Sequence, residues 1–367
     1  MEKINDFTSI EQILIRNAIQ SVSPINGSLE LLPLCNMNCD MCYIRLNQDE
    51  MLSQGKLRPV EEWLNIARQM KDNGVLFLLL TGGEPLIYPN FKQLYVELNR
   101  MGIVLTLNTN GTLIDEEWAA FFGKYKPRRI NITLYGATDE TYQNLCHFKQ
   151  GFKKTLRGIH LLRQFGVDVK LSGTMTKSNS KDLAEIYRIS NELHIPVNID
   201  TYLIPNTRER KKNFNHQIRL SPKEAAELTI QSAKLQWTSE QFGQYVKRKL
   251  HEIESPTFPE VYSGLSCLAG NCSFAINWQG KMRPCVMLPK PEADVFKMGF
   301  QSSWEYISKE SKKIVTSPKC CACNKRTICR TCAAAEIFEK GQHGIAPEYL
   351  CEYSDELLKL LKATNKQ

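Results

Sequence analysis

Three closely spaced cysteines are the residues whose type and spacing point most directly to chemistry. Cys35, Cys39 and Cys42 form a CxxxCxxC arrangement within the stretch CNMNCDMC, so three thiolates converge on one short loop. A four-iron cluster needs four ligands, and three cysteines therefore leave one iron able to bind a substrate atom. A tetrahedral zinc ion held by three thiolates and a water molecule is the structural alternative that the spacing alone leaves open.

A glycine-rich motif, TGGEP at residues 81–85, follows the second apolar run of the chain. Gly82 and Gly83 allow the backbone to approach a ligand closely, and Glu84 offers a carboxylate to an ammonium group. An ordinary strand-to-helix turn explains a glycine at this place. It does not explain why the motif follows a three-cysteine loop by one strand–helix unit, so the two motifs together form a specific pattern.

The strands and helices that must position these motifs can be predicted from an alternation of two patterns along the chain. From about Leu29 to Leu203, short apolar runs rich in β-branched residues alternate with segments of helical period, as in repeated βα units around a parallel sheet. Six strands in this order predict an α/β fold with a partial (β/α)6 barrel and a small cysteine-rich C-terminal domain. The predicted strands are 29–34, 76–80, 103–107, 129–134, 167–174 and 197–203.

Helices are predicted between these strands. The segment 59–72 begins at a proline suited to a first helical turn, and the segment 181–193 repeats apolar residues at helical spacing. Parallel βα sheets place their reactive groups at the carboxyl ends of the strands. Because the cysteine loop and TGGEP follow neighbouring strands, we expect them to lie at the same edge of the sheet.

Composition limits the classes to which the chain can belong. At 367 residues and 42% hydrophobic content it can form one large domain and a smaller one. The N-terminus lacks the regions of a secretory signal, and no apolar stretch has the length of a membrane span. Thirteen cysteines in a reducing compartment indicate metal sites rather than disulfides. We therefore expect a cytoplasmic protein with no membrane partner.

Part of the net charge of +8 is concentrated in one short region. Such a region attracts acidic peptides or nucleic acids. No aromatic residues alternate with its charges as a base-stacking groove requires, so we expect a solvated loop and no nucleic-acid partner. The residues are Arg208, Arg210, Lys211, Lys212 and Arg219.

The alternation of strands and helices ends after Pro205. Two helical segments, 222–234 and 239–254, lead to a Ser-Pro pair where we place a domain boundary. From Cys267 to Cys351 the chain is rich in cysteine, glycine and proline, as expected of a small domain held by metal rather than by a core. The predicted organisation is an N-terminal extension (1–28), a barrel (29–205), a helical connection (206–258), a cysteine-rich domain (259–353) and a C-terminal helix (354–367).

CNMNCDMC followed by TGGEP resembles the radical SAM superfamily, and the resemblance covers nearly the whole chain. It implies that a [4Fe–4S] cluster on Cys35, Cys39 and Cys42 binds S-adenosylmethionine through its open iron. One electron would break the sulfonium S–C5′ bond, and the resulting 5′-deoxyadenosyl radical would take a hydrogen atom from the substrate. The implied cofactor contacts are Gly82, Gly83 and Glu84 at the methionyl ammonium, Tyr43 near the adenine, and Asn108 and Thr133 at the ribose or carboxylate.

Nine further cysteines lie in the C-terminal part of the chain. Their CxxC pairs, read alone, resemble a zinc ribbon. The linkage of Cys-x12-Gly-x4-Cys to CxxCx5CxxC and a distant last cysteine resembles the SPASM domain of radical SAM peptide maturases. This implies two auxiliary [4Fe–4S] clusters, one on Cys267, Cys272, Cys285 and Cys332 and the other on Cys320, Cys323, Cys329 and Cys351. Cys329 and Cys332 have two residues between them, one fewer than in the usual pattern. The assignment of cysteines to the two clusters therefore stays open, and Cys321 is an alternative to Cys320.

SPASM enzymes mostly modify ribosomally made peptides, so the resemblance implies a peptide substrate that is crosslinked, oxidised or epimerised. The sulfatase-maturing branch has an aspartate directly after the cysteine that matches Cys285, but Val286 stands here, so that branch is not expected. A reducing partner such as flavodoxin or ferredoxin is implied. Two other hypotheses remain: a radical SAM dehydrogenase of a small molecule, and a non-catalytic zinc-binding module.

The number of iron atoms distinguishes these hypotheses. Three [4Fe–4S] clusters require about twelve irons per chain, whereas one cluster requires about four. We expect about twelve irons and a matching amount of sulfide in anaerobically reconstituted protein, measured by chemical analysis. About four irons together with bound zinc would contradict the auxiliary clusters.

Overall fold

A single mixed sheet organises the molecule. The computed structural model describes residues 8–206, 208, 210, 214–256 and 265–365, and in these residues the sheet has nine strands. In chain order they are β1 (Asn26–Glu30), β2 (Phe77–Thr81), β3 (Val104–Thr109), β4 (Arg129–Thr133), β5 (Val169–Thr174), β6 (Val197–Asp200), β7 (Ser273–Ile276), β8 (Lys281–Arg283) and β9 (Ala293–Asp294).

Strands β1 to β6 lie side by side in chain order, and every neighbouring pair is parallel. Parallel neighbours need long crossover connections, which the helices between the strands provide. This arrangement confirms the predicted α/β fold with a partial (β/α)6 barrel. All six predicted strands are present, although β1 begins at Asn26 and ends at Glu30.

Helices cover the outer face of the sheet and extend beyond it. Helix α3 begins after Pro59, which is its N-cap residue, and buries Trp63 and Met70. The helices are α1 (Ser9–Ser21), α2 (Gln48–Gln54), α3 (Val60–Asp72), α4 (Phe91–Arg100), α5 (Glu116–Lys124), α6 (Asp139–Cys146), α7 (Gly151–Gln164), α8 (Leu183–Glu192), α9 (Pro222–Gln236), α10 (Ser239–Glu254), α11 (Val295–Met298), α12 (Phe300–Ser311), α13 (Pro318–Cys321), α14 (Ala333–Lys340) and α15 (Glu348–Thr364).

The first strands of the cysteine-rich region extend the barrel sheet. Strand β7 pairs in parallel with the free edge of β1, with Ser28 opposite Ala275, and β8 and β9 follow as antiparallel neighbours. Helix α12 packs against α3 and β8. The region therefore shares backbone hydrogen bonds and core contacts with the barrel, and it is not held by metal alone.

The C-terminal helix packs on the two helices that connect the barrel to the cysteine-rich region. Helix α15 packs along α9 and also contacts α10. It begins at Glu348, earlier than the sequence suggested, so Cys351 lies in its first turn. The last predicted cluster cysteine is thus fixed to a helix that is anchored on the helical connection.

The expectation of a solvated basic loop is wrong for two of its members. Arg208 and Arg219 have side chains that are only 2% and 6% exposed, because each is paired with a distant carboxylate, that of Glu30 or Glu339. Local composition cannot reveal partners that are this far away in sequence. Lys211 and Lys212 lie outside the described residues. Among the described residues, no helix combines the length and the apolar character needed to cross a membrane.

The junction of β1 and β7 generates a stability prediction. A Cβ atom on Gly27 would lie 2.3 Å from a ring atom of Phe274, whose ring packs edge-to-face on Phe300. We expect Gly27→Ala to lower the free energy of unfolding by about 1–3 kcal/mol through overpacking. Gly243→Ala is the matched control, because nothing lies within 4 Å of its added methyl group in α10.

The control should raise the free energy of unfolding by about 0.5–1 kcal/mol, since alanine is the better helix former. Both variants are compared with the parent by anaerobic urea denaturation. Equal effects of the two substitutions would show that β7 does not pack on β1 as described.

Candidate active site

The three cysteines of the first motif meet the second motif at one cavity of about 280 Å³, hereafter the cluster cavity. It lies at the carboxyl ends of β2, β3, β4 and β5, where a parallel sheet places its reactive groups. Of the predicted site residues, the cavity is lined by Cys35, Cys39, Cys42, Tyr43, Gly82, Gly83, Asn108 and Thr133.

Helix α6 holds the cysteine loop in place. The backbone N–H groups of Asn38 and Asp40 donate to the carbonyl oxygens of Cys146 and Leu145, each at 3.0 Å. These carbonyls end the helix and would otherwise lack partners. Cys146 is fully buried, and its thiol is hydrogen-bonded to Cys39. Cys146, which belongs to none of the three predicted ligand sets, is thus a buried residue that packs against the cysteine loop.

In this loop Cys39 is buried, Cys35 and Cys42 are half-buried, and the last two receive backbone donors. The N–H of Met37 lies 3.4 Å from Cys35 Sγ, and the N–H of Arg45 lies 3.3 Å from Cys42 Sγ. Burial raises the pKa of both thiols, and the bond to Cys146 together with burial raises the pKa of Cys39 well above its usual value. Such thiols become thiolates when a metal binds, and donors aimed at sulfur tune a bound cluster.

The glycines of TGGEP allow two backbones to touch. The N–H groups of Gly83 and Glu84 donate to the carbonyls of Leu32 and Leu34 at 2.8 and 2.9 Å. A Cβ atom on Gly83 would lie 2.1 Å from the Leu34 carbonyl oxygen. Only glycine therefore fits beside the segment that leads into the cysteine loop.

Glu84 is fully buried and does not line the cluster cavity. Its carboxylate accepts hydrogen bonds from Leu86 N, Thr109 Oγ1 and Asn110 N at 3.2, 2.8 and 2.9 Å. Burial nevertheless raises the pKa of Glu84 to about 7. The carboxylate joins the loops after β2 and β3, and its contact with a ligand ammonium stays a prediction.

The remaining predicted contacts, Asn108, Thr133 and Tyr43, also line the cluster cavity. Asn108 accepts a hydrogen bond of 2.8 Å from Asn131 Nδ2, and Thr133 ends β4. Tyr43 is half-buried, and Cys42 and Cys285 are among its electrostatic neighbours. Tyr43 is therefore close to both the first cysteine loop and the cysteine-rich region.

A buried ion pair beside Tyr43 was missed by the sequence reasoning. The Arg208 guanidinium donates to both carboxylate oxygens of Glu30 at 2.8 and 2.6 Å and to the Val286 carbonyl at 2.8 Å. The same guanidinium lies 5.0 Å from the centre of the Tyr43 ring. The available signal was Glu30 itself, because a charged residue within an apolar strand requires a partner.

Four of the C-terminal cysteines lie together near the barrel. Burial and the neighbouring thiols of Cys267 and Cys332 raise the pKa of Cys285 to about 11. Burial and Cys267 likewise raise the pKa of Cys272 to about 12. The N–H of Met287 lies 3.4 Å from Cys285 Sγ, as the N–H of Met37 does from Cys35. We call these four cysteines the inner group.

The other four predicted ligands form a second neighbourhood, the outer group. Cys351 has Cys329 and Cys323 as electrostatic neighbours, and Cys320 has Cys329. Cys321, the alternative to Cys320, is buried and contacts Thr316 Oγ1 at 3.3 Å. The structure thus gives Cys320 a neighbour in Cys329, and ligation by Cys320 or Cys321 stays a prediction.

The surroundings of these thiols are compatible with cluster ligation. A [4Fe–4S] cluster binds each cysteine to a different iron, so its ligand sulfurs lie farther apart than those around one zinc ion. Burial and the N–H donors at Cys35, Cys42 and Cys285 suit such ligation.

Residues 29–189 match the sequence profile of the Radical SAM superfamily. These residues therefore form a radical SAM domain, which confirms the resemblance in the CNMNCDMC and TGGEP motifs. The match spans β1 to α8 and includes the loop that carries the three cysteines.

Two proteins with similar sequences match most of the chain. It is 24% identical over 341 residues to an AdoMet-dependent heme synthase of Methanosarcina barkeri (strain Fusaro / DSM 804), which covers 88% of this chain and 95% of that protein. It is 25% identical over 293 residues to the antilisterial bacteriocin subtilosin biosynthesis protein AlbA of Bacillus subtilis (strain 168), which covers 77% of this chain and 59% of AlbA.

Solved structures share the fold. Streptococcus suis SuiB bound to S-adenosylmethionine has a TM-score of 0.65 at 18% identity, covering 93% of this chain and 80% of that one. SuiB bound to its precursor peptide SuiA has a TM-score of 0.64 at 17% identity, covering 92% and 79%. The similarity therefore extends through the cysteine-rich region.

The Glu30–Arg208 pair generates a second stability prediction. Removing one member of a buried pair leaves an unpaired charge and costs about 3–5 kcal/mol. We expect Glu30→Gln to lower the free energy of unfolding by that amount, whereas the double variant Glu30→Leu with Arg208→Met recovers most of it. Denaturant unfolding under anaerobic conditions measures all three proteins.

The exposed pair Arg188–Glu185, with side chains 54% and 43% exposed, supplies the control. Glu185→Gln should change the free energy of unfolding by about 0–1 kcal/mol. If Glu30→Gln were no more harmful than Glu185→Gln, the Arg208 guanidinium would not be buried against Glu30.

Proposed function

We propose that this chain is a radical SAM enzyme that reductively cleaves S-adenosylmethionine and takes a hydrogen atom from a ribosomally made peptide. The observation that carries the proposal is the cluster cavity, where Cys35, Cys39 and Cys42 line the same space as Gly82 and Gly83. Among the described residues, the cysteines that line this cavity are Cys35, Cys39 and Cys42, whereas Cys146 does not line it. Three thiolates suit a cluster that keeps one iron open to a small molecule.

The chain's own residues would bind and orient the cofactors. A bound [4Fe–4S] cluster and S-adenosylmethionine supply the hydrogen-abstracting chemistry when an electron arrives. Gly82 and Gly83 let the backbone approach the methionyl end, while Asn108 and Thr133 offer polar groups to the ribose or carboxylate. Tyr43, held against Arg208, closes the side of the cavity toward the cysteine-rich region.

The inner and outer groups of cysteines suit two auxiliary [4Fe–4S] clusters. Each group has four thiols, so neither cluster would have an open iron, and we assign them to electron transfer. Such a path requires an external one-electron partner of the flavodoxin or ferredoxin kind. Reduced clusters and thirteen cysteines favour the cytoplasm as the compartment.

Similarity supports a peptide substrate. AlbA is named for bacteriocin biosynthesis, and SuiB has been solved with its precursor peptide. Crosslinking, oxidation and epimerisation of a peptide all begin with hydrogen abstraction, so the site is compatible with each.

A small-molecule substrate is the second candidate. It is favoured by the heme synthase of Methanosarcina barkeri, because that similarity covers nearly the full length of both chains.

The proposal is tested by comparing how much S-adenosylmethionine the parent enzyme and its cysteine variants cleave. We expect the reduced parent enzyme to form 5′-deoxyadenosine, and Cys39→Ala to form none because one ligand of the first cluster is lost. Cys329→Ala, in the outer group, should retain some uncoupled cleavage but give no peptide product. Chromatography with mass spectrometry measures the nucleoside and the peptide.

Cys321→Ala tests the alternative ligand assignment. Unchanged amounts of both products would exclude Cys321 as a ligand of the outer cluster, whereas loss of the peptide product would identify Cys321 as a ligand in place of Cys320. Formation of 5′-deoxyadenosine by Cys39→Ala would contradict the assigned cluster site. A normal yield of peptide product from Cys329→Ala would contradict the electron-transfer role of the outer group.

A further inference from the structure

A second cavity, of about 630 Å³, lies inside the barrel next to the inner group of cysteines, and we call it the lumen cavity. Its wall includes residues of β1, β2, β3 and β7 and the inner-group thiols of Cys267 and Cys285. The volume is in the range of ligand sites, roughly 300–1,000 Å³. Nothing in the sequence motifs accounts for it.

Small side chains in one row of the sheet open this space. Ala275, Ser28, Leu79 and Thr106 are neighbours across β7, β1, β2 and β3, and all four line the lumen cavity. A closed (β/α)8 barrel fills the equivalent layers with bulky branched residues, so that no space remains. Here three of the four residues are small, and the interior stays hollow.

The lumen cavity lies directly beneath the cluster cavity. Thr81 and Asn108, which line the cluster cavity, follow Leu79 and Thr106 by two residues on the same strands. Side chains two residues apart share one face of a strand and are separated by roughly 6.5–7 Å. The two cavities are therefore stacked along the inside of the barrel, with the inner group at the side of the lower one.

Apart from the thiols of Cys267 and Cys285, the side chains that line the lumen cavity are apolar or neutral. Among the described residues that line it, none is Asp, Glu, Lys, Arg or His, and the polar ones are neutral, such as Asn26, Ser28 and Thr106. Moving a charged group from water into such a space is unfavourable, whereas apolar surface gains by the transfer. The chemistry of the wall thus selects an uncharged, apolar group.

We propose that the lumen cavity binds an uncharged apolar side chain of the peptide substrate, of the leucine, valine or phenylalanine class. This inference rests on the proposed function and specifies its substrate. The bound side chain lies between the cluster cavity on one side and Cys267 and Cys285 on the other. Carboxylates and phosphates are disfavoured at this position because they would lose their hydration, and an anionic cluster on Cys267 and Cys285 would repel them further.

Binding of a neutral apolar probe tests the inference directly. Prodan, an uncharged naphthalene fluorophore, is equilibrated by dialysis with the anaerobically reconstituted enzyme, and the dialysate is assayed so that the clusters cannot quench the signal. We expect saturable binding of about one probe per chain. Ser28→Leu and Ala275→Leu, which fill the cavity, should each weaken binding at least tenfold.

Two matched variants serve as controls. Thr106→Val keeps the volume of the wall residue and removes its hydroxyl group, so prodan binding should be kept or strengthened. Ala120→Leu makes the same small-to-large change at an exposed position of α5 and should leave binding unchanged. Iron content and the thermal midpoint identify any variant that has not folded, and Ser28 and Ala275 are tested separately for that reason.

The outcomes separate this inference from the proposed function. Absence of saturable prodan binding, or binding that both filling variants leave unchanged, would overturn the inference. Reductive cleavage of S-adenosylmethionine without peptide is measured on the same samples. If the parent cleaves S-adenosylmethionine and prodan does not bind, only the inference fails. If cleavage is absent in the parent, the proposed function fails whatever prodan does.

Discussion

The pairing of β1 with two strands at once is the constraint on which the rest of the structure depends. One edge of β1 pairs with β2, which leads to TGGEP, and the other pairs with β7, which begins directly after Cys272. The chain that leaves β1 leads into the loop of the first three cysteines. Backbone hydrogen bonds therefore fix the relative positions of the first cluster loop and the inner group.

Backbone N–H donors partly offset the burial of several thiols. Met37 and Arg45 present backbone N–H groups to the first loop, and Met287 presents one to Cys285. Raised pKa values mean that these thiols become thiolates only when a metal neutralises them, so metal binding adds stability to a preformed arrangement. The continuous sheet also fixes the first strands of the C-terminal region relative to the barrel through backbone hydrogen bonds.

The space inside the barrel and the buried ion pair both lie where the barrel meets the cysteine-rich region. Small residues leave space inside the barrel, while the Arg208 guanidinium ties Glu30 on β1 to Val286 in the cysteine-rich region. Both members of the ion pair are almost fully removed from water. Their attraction offsets the cost of desolvation only because the charged atoms are also well hydrogen-bonded. It joins the wall of the cluster cavity at Tyr43 to the wall of the lumen cavity at Val286.

The sequence by itself determined what is local: six strands from alternating apolar runs, helices from their period and caps, and the radical SAM motifs from the spacing of Cys35, Cys39, Cys42 and TGGEP. Tertiary structure alone decided what depends on distant partners. It buried Arg208 against Glu30, added β7 to the barrel sheet, placed Cys146 behind Cys39 and left the lumen open beside Ser28. The periodicity of apolar residues depends on positions that are close together in the sequence. A buried charge or a cavity depends on contacts between segments that are far apart in the sequence and meet only in the folded chain.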